Sequence, residues 1–165
     1  MQPNDLVLVT TPFTFDPCIV DVFLAFYSGA SILLPSNDMK FDTKFLSKSF
    51  TKEEYGATLW FTTPSIFMKC YPKHIEQCSL KILVLGGEQF PNLNVDNWSS
   101  LKALKVYNIY GTTEVSCWAS IHLVDDFSKP APLGKVLSDT IFEIRNNSNS
   151  GVLPVDVGEL YIGTT

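Results

Sequence analysis

Short apolar, β-branched runs recur at residues 6–10, 31–34, 57–61, 81–85 and 105–109, with longer mixed segments between them. Each run has the length of a strand and each interval has room for a helix, which is the rhythm of an α/β sheet and not of a bundle or a sandwich. Asp16 followed by Pro17 marks the first helix start: the carboxylate is expected to accept from the orphan N–H groups of the first turn, and proline suits the first helical position. Gly29 supplies the stop. Ile19, Val20, Phe23, Phe26 and Tyr27 fill one broad face, with Val22 and Leu24 further round, so this helix is expected to be largely enclosed. A second helix is expected over 42–54, a third from Pro64 and Ser65, and a weaker one after Pro91. From Trp118 onward only strand signals remain, at 118–123, 140–145 and 159–163, joined by turn-rich sequence such as 146–151. The expected fold is α/β: a layered, mainly parallel sheet with flanking helices, followed by antiparallel strands.

A chain of 165 residues, 45% of them apolar, can hold a core and is too hydrophobic for disorder. Its 12 basic against 17 acidic side chains disfavour a nucleic-acid partner, whose affinity would need clustered Lys and Arg. The four cysteines form no C-x-x-C pair, and only His74 and His122 could join them as soft ligands, so neither a zinc site nor a disulfide framework is expected. No basic segment followed by a long apolar run opens the chain. The greasiest stretch, 18–34, is interrupted by Asp21, Ser28, Gly29 and Ser31 and reads as a buried helix plus a strand, not a membrane span. A cytoplasmic location follows as an expectation, and the sequons at Asn97 and Asn146 read as chance matches.

The most informative stretch is YNIYGTTEVSCWAS, residues 107–120. A strand ends at Tyr110, Gly111 would let the backbone turn closely past a ligand, Thr112 and Thr113 offer hydroxyl and N–H donors, and Glu114 offers a hard oxygen ligand. Open α/β sheets bind ligands beyond the carboxyl ends of their strands, where this loop falls. Aromatic, glycine, two threonines and an acid suit a nucleotide: stacking for the base, donors for phosphate, a carboxylate for magnesium. The same residues also suit a plain tight turn with a helix cap.

YGTTE (110–114) resembles the tyrosine-glycine-x-threonine-glutamate motif of the adenylate-forming enzymes, which comprise acyl- and aryl-CoA synthetases, luciferases and the adenylation domains of peptide synthetases. FTFDPCIVDVF (13–23) resembles the family's phenylalanine-aspartate segment, VLGGEQF (84–90) its glycine-glycine-glutamate turn, GELYIGT (158–164) its glycine-glutamate-leucine segment, and PLGKVL (132–137) the turn before its smaller sheet. The resemblance covers nearly the whole chain and, in its first and nucleotide segments, looks closest to members that activate β-alanine. It implies that residues 1–165 are the central part of an AMP-binding (adenylation) domain, within the large N-terminal domain of such enzymes.

The implied activity is ATP- and Mg2+-dependent adenylation of the carboxylate of a small, β-alanine-like amino acid, for transfer to a phosphopantetheine thiol, with a carrier domain as possible partner, or to CoA. By resemblance, adenine lies against Tyr110 and the Gly86-Gly87-Glu88 turn with Asn108 near its amino group. Gly111 belongs to the cofactor-binding set, Thr113 meets phosphate, Thr113 and Glu114 are catalytic, and Glu114 contacts the metal. Asp16 pairs with the substrate ammonium group, or serves as the helix cap alone. The implied pocket wall is Pro17, Val20, Phe61, Val84, Gly86, Ile109, Cys117 and Trp118, in which Cys117 acts as a small hydrophobe and not as a nucleophile. A Ser/Thr/Gly-rich phosphate loop, a threonine-glycine-aspartate segment and a C-terminal lysine-bearing domain, parts the family uses, have no match in the sequence. The expectation is a fragment with little or no turnover alone; an acyl-CoA ligase fragment and a non-catalytic truncated product are the alternatives.

Overall fold

The computed structural model describes residues 1–70, 78–91, 104–115, 117–146 and 157–164. Five strands lie parallel: β1 (Leu6–Val9), β2 (Ser31–Leu33), β3 (Leu59–Thr62), β4 (Ile82–Gly86) and β5 (Lys105–Tyr110). β6 (Ser120–Val124) then pairs antiparallel with β5, and the two-residue β7 (Lys135–Val136) with β6, giving the order β2-β1-β3-β4-β5-β6-β7. β8 (Thr140–Arg145) and β9 (Glu159–Thr164) form a separate antiparallel pair. The parallel-then-antiparallel order expected from the sequence is the order observed.

Period-two alternation splits the core across the sheet. Val7, Val9, Leu59, Phe61, Val84 and Ile109 face one side, where Ala25 of α1 (Pro17–Ser28) packs. Leu8, Trp60, Leu83, Leu85 and Val106 face the other, against Phe45 and Leu46 of α2 (Thr43–Ser49) and Phe67 and Cys70 of α3 (Pro64–Cys70). The Trp60 indole Nε1 donates to Thr10 Oγ1 at 3.0 Å, so the largest core side chain is satisfied where it is buried.

Three expectations need correction. Asp16 sits at the first-turn boundary with helical dihedrals (φ −54, ψ −32), and its side chain makes no capping hydrogen bond. A cap carboxylate needs the extended backbone that Asp42 adopts before α2 (ψ 114), where it accepts from Lys44 N at 2.8 Å. Second, α1 is not enclosed: only Cys18, Asp21 and Ala25 are buried along it, while Ile19, Phe23, Phe26 and Tyr27 are exposed. Third, α2 stops at Ser49, short of the expected 54. The Thr51 hydroxyl donates to the Lys48 carbonyl, and the Ser79 hydroxyl lies within hydrogen-bond distance of the Phe50 and Ala57 carbonyls, so side chains take the place of the next helical turn. The helix expected after Pro91 lies outside the described residues, as do His74 and the sequon at Asn97. Gly29 ends α1 as expected, in the left-handed region at φ +67.

Candidate functional site

Four of the five parallel strands, β1, β3, β4 and β5, deliver Thr10, Thr62, Gly86 and Tyr110 to one end of the sheet, the end where open α/β sheets take ligands. A cavity of about 450 Å³ opens there, with a mostly apolar lining. Six of the eight expected wall residues line it: Pro17, Phe61, Val84, Gly86, Ile109 and Trp118. Val20 and Cys117 are not among the lining residues, and neither is Asp16. The sequence singled out nothing at Thr10, Thr11 and Pro12 after β1, nor at Thr63 and Ile66, yet these line the cavity, joined by the exposed rings of Phe15 and Phe41. The available signal was their position, each just past the end of a strand or close to it.

Close packing sets the wall. A Cβ on Gly86 would come within 2.5 Å of Ile109 Cγ2 and 3.0 Å of Trp118 Cη2, so any other residue there would push the wall inward. Gly111 is required for a related reason. A Cβ there would lie 2.2 Å from the Cys117 carbonyl oxygen and 2.6 Å from Trp118 Cα, so this glycine lets the chain pass its own returning strand. Ala119 N donates to the Tyr110 carbonyl at 2.7 Å and closes the loop, while Cys117 takes a left-handed φ of 68 as it turns Trp118 toward the cavity.

Polar groups are few and informative. Asp16 Oδ2, Thr62 Oγ1 and Trp118 Nε1 are buried without a hydrogen-bond partner. An unpartnered buried carboxylate oxygen is costly, and a cation is the group that offsets that cost best. Burial first, then the Asp16 and Asp21 carboxylates, push the Cys117 thiol up to about 11. It is therefore a thiol at neutral pH and fits a small hydrophobe, not a nucleophile.

The expected nucleotide residues divide between two places. Gly86, Gly87 and Glu88 line the cavity, and the Glu88 carboxylate accepts from Ser65 N at 2.9 Å and makes a short contact with Ser65 Oγ. Asn108, Tyr110, Gly111, Thr113 and Glu114 do not line it. The Asn108 amide donates to the Pro132 carbonyl at 2.9 Å, and the Tyr110 ring meets Phe142 edge-on at 6.4 Å between centroids. Thr113 and Glu114 are exposed on a single 3-10 turn (Thr113–Val115). Glu114 offers an exposed carboxylate, and among the described residues no group of three or more His, Cys, Asp or Glu forms a metal cage.

The family model of the AMP-binding enzymes matches residues 1–165. The chain belongs to the AMP-binding enzyme family. Proteins of Danio rerio and Drosophila melanogaster, both described as "Beta-alanine-activating enzyme", are each 36% identical to it and align with 99% and 97% of its length. The chain spans only 15% and 17% of those relatives. Among solved structures, a nonribosomal peptide synthetase protein, holo-PA1221, described as containing adenylation and PCP domains and bound to a vinylsulfonamide inhibitor, superposes with a TM-score of 0.81 at 24% identity. That match covers 99% of this chain and 29% of the other, and it supports the fold alone. Among the described residues, no helix is long and apolar enough to cross a membrane.

Proposed function

We propose that the chain is the central part, residues 1–165, of an adenylation domain that joins the carboxylate of a small, β-alanine-like amino acid to the α-phosphate of ATP with release of pyrophosphate. The observation that carries this reading is the buried, unpartnered Oδ2 of Asp16, a carboxylate freed from capping and within electrostatic reach of Cys117, which the sequence expects in the wall. It is suited to a substrate ammonium group. The bulk of Phe61 and Trp118 in the cavity wall favours a small acid. Tyr110 and the Gly86-Gly87-Glu88 turn would hold adenine with Asn108 nearby. Thr113, beside Gly111, would meet phosphate, and Glu114 would hold Mg2+ against it. The acceptor would be a phosphopantetheine thiol on a carrier domain, or CoA.

Positioned donors and metal charge dominate phosphoryl chemistry, and this sequence, which shows no match to the family's phosphate loop, is expected to give little or no turnover by itself. The test is amino-acid-dependent exchange of labelled pyrophosphate into ATP, run on this chain and on a longer polypeptide that contains it, with β-alanine, other amino acids and fatty acids. Exchange with β-alanine by the longer form, lost in Asp16→Ala by about 100-fold or more, is the expected result. Equal exchange with fatty acids in wild type and Asp16→Ala would favour the acyl-CoA ligase reading. No exchange with any acid by a folded longer form would leave a non-catalytic product.

A further inference from the structure

β3 and β4 are paired in register through Thr62↔Leu85 and then part company. β3 continues into α3, whereas Gly86 and Gly87 turn the other chain away, Gly87 in the left-handed region at φ +78. The cavity lies across this fork, with Thr63 and Ser65 on one side and Gly87 and Glu88 on the other. The side chain of Glu88 closes the fork. Its Oε2 accepts from Ser65 N at 2.9 Å and makes the short contact with Ser65 Oγ, so one carboxylate receives both donors of a residue on the facing wall.

We propose that Glu88 is a positioning residue whose carboxylate clasps the first turn of α3 to the Gly86-Gly87 turn and so fixes the width of the nucleotide end of the cavity. This rests on the adenylation reading, and it moves Glu88 from touching the nucleotide to holding the wall that does. Hydrogen bonding from Ser65 comes first among the influences that hold the Glu88 carboxyl below its ordinary value, with smaller support from the Thr63 hydroxyl and the Lys69 charge against a little burial. Each donor therefore favours the ionised, clasping form. Walls misplaced by an ångström lose much of their affinity for a bound ligand, which gives the clasp a measurable consequence.

The experiment measures AMP affinity by calorimetry, exchange of the Ser65 amide hydrogen by NMR, and the melting midpoint, for wild type, Glu88→Ala, Glu88→Gln, Ser65→Ala and the Glu88→Ala/Ser65→Ala double variant of a longer polypeptide that contains this chain. Glu88→Ala is expected to weaken AMP by about tenfold and speed Ser65 exchange, while Glu88→Gln, which keeps an acceptor, returns both to within about threefold of wild type. Ser65→Ala should cost little more when Glu88 is already alanine. If Glu88→Ala does not fold, Glu88→Gln and Ser65→Ala carry the comparison. Wild-type affinity in Glu88→Ala, or no rescue by glutamine, overturns the clasp. Weaker AMP binding with unchanged Ser65 exchange also overturns it and returns Glu88 to direct nucleotide contact. Failure of wild type itself to bind AMP, with Ser65 still protected, removes the nucleotide reading and leaves Glu88 a helix cap with nothing to position.

Discussion

Asp16 and Asp21 stand on one helix and have different environments. Asp16 is half-buried with Oδ2 buried and unpartnered, whereas Asp21 is fully buried with neither oxygen in hydrogen-bond geometry. Burial pushes the Asp21 carboxyl up to about 8, against a smaller opposing pull from the Thr11 hydroxyl. The folded protein thus keeps this proton to about pH 8, while the unfolded chain releases it near 3.8. Between those values the unfolded state binds fewer protons, so Asp21 lowers stability progressively as pH rises from about 4 to 8. Asp21→Asn removes the ionisable group at similar volume and is expected to gain about 2–4 kcal/mol at pH 8, and little at pH 4. Urea unfolding of both proteins across that range checks it, and equal pH slopes would refute the buried-acid account. Neither aspartate's environment was legible in the sequence. The Asp16-Pro17 pair looks like a cap, and only the observed φ and ψ show that the carboxylate is not in cap geometry.

The strands were the most legible elements, because a parallel strand buried on both faces must read as an unbroken apolar run, as Leu6–Val9 and Ile82–Gly86 do. β7 was missed: two exposed residues, Lys135 and Val136, carry no periodicity. The enclosure of α1 was misread because an apolar helix surface does not say whether anything packs on it. The cavity rim was hard to see for a similar reason, since Thr, Pro and Ser after a strand have no signature of their own and Glu88 finds Ser65 only through the fold. Another non-local tie holds the opposite end of the sheet. Asp5 accepts from Lys81 Nζ at 2.7 Å, from Gln2 N at 2.9 Å and from Thr58 Oγ1 at 3.1 Å, joining the entries of β1, β3 and β4. Burial works against its ionisation, yet the Lys81, Gln2 and Thr58 bonds together hold the carboxyl below its ordinary value. The stability it contributes is therefore present above about pH 4, the unfolded value, and lost as pH falls through the lower folded value. Asp5→Asn should cost about 1–3 kcal/mol at pH 7 and much less at pH 2, read from denaturant midpoints; an unchanged midpoint at pH 7 would remove the tie from the account of the sheet.

At the scale of the molecule, apolar surface is distributed unevenly. The face of α1 toward the sheet is buried through Cys18 and Ala25, while its outer side presents Ile19, Phe23, Phe26 and Tyr27, the last 92% exposed. Four large apolar side chains at i, i+4, i+7 and i+8 make one contiguous stripe, and such stripes on a soluble chain drive association because water gains when they are covered. The chain by itself is expected to associate as its concentration rises. Phe23 and Phe26 contribute little to the fold, since their rings are 65% and 67% exposed. Replacing both with serine should shift the melting midpoint by only a few degrees, about what 1 kcal/mol produces in a chain of this size, while moving sedimentation toward the monomer. Ala25→Asp on the buried side is the control: it places a charge in the core and should unfold the chain. Sedimentation unchanged by the double serine variant would show that the stripe does not drive association, whereas a large loss of stability would mean that Phe23 and Phe26 support the fold despite their exposure.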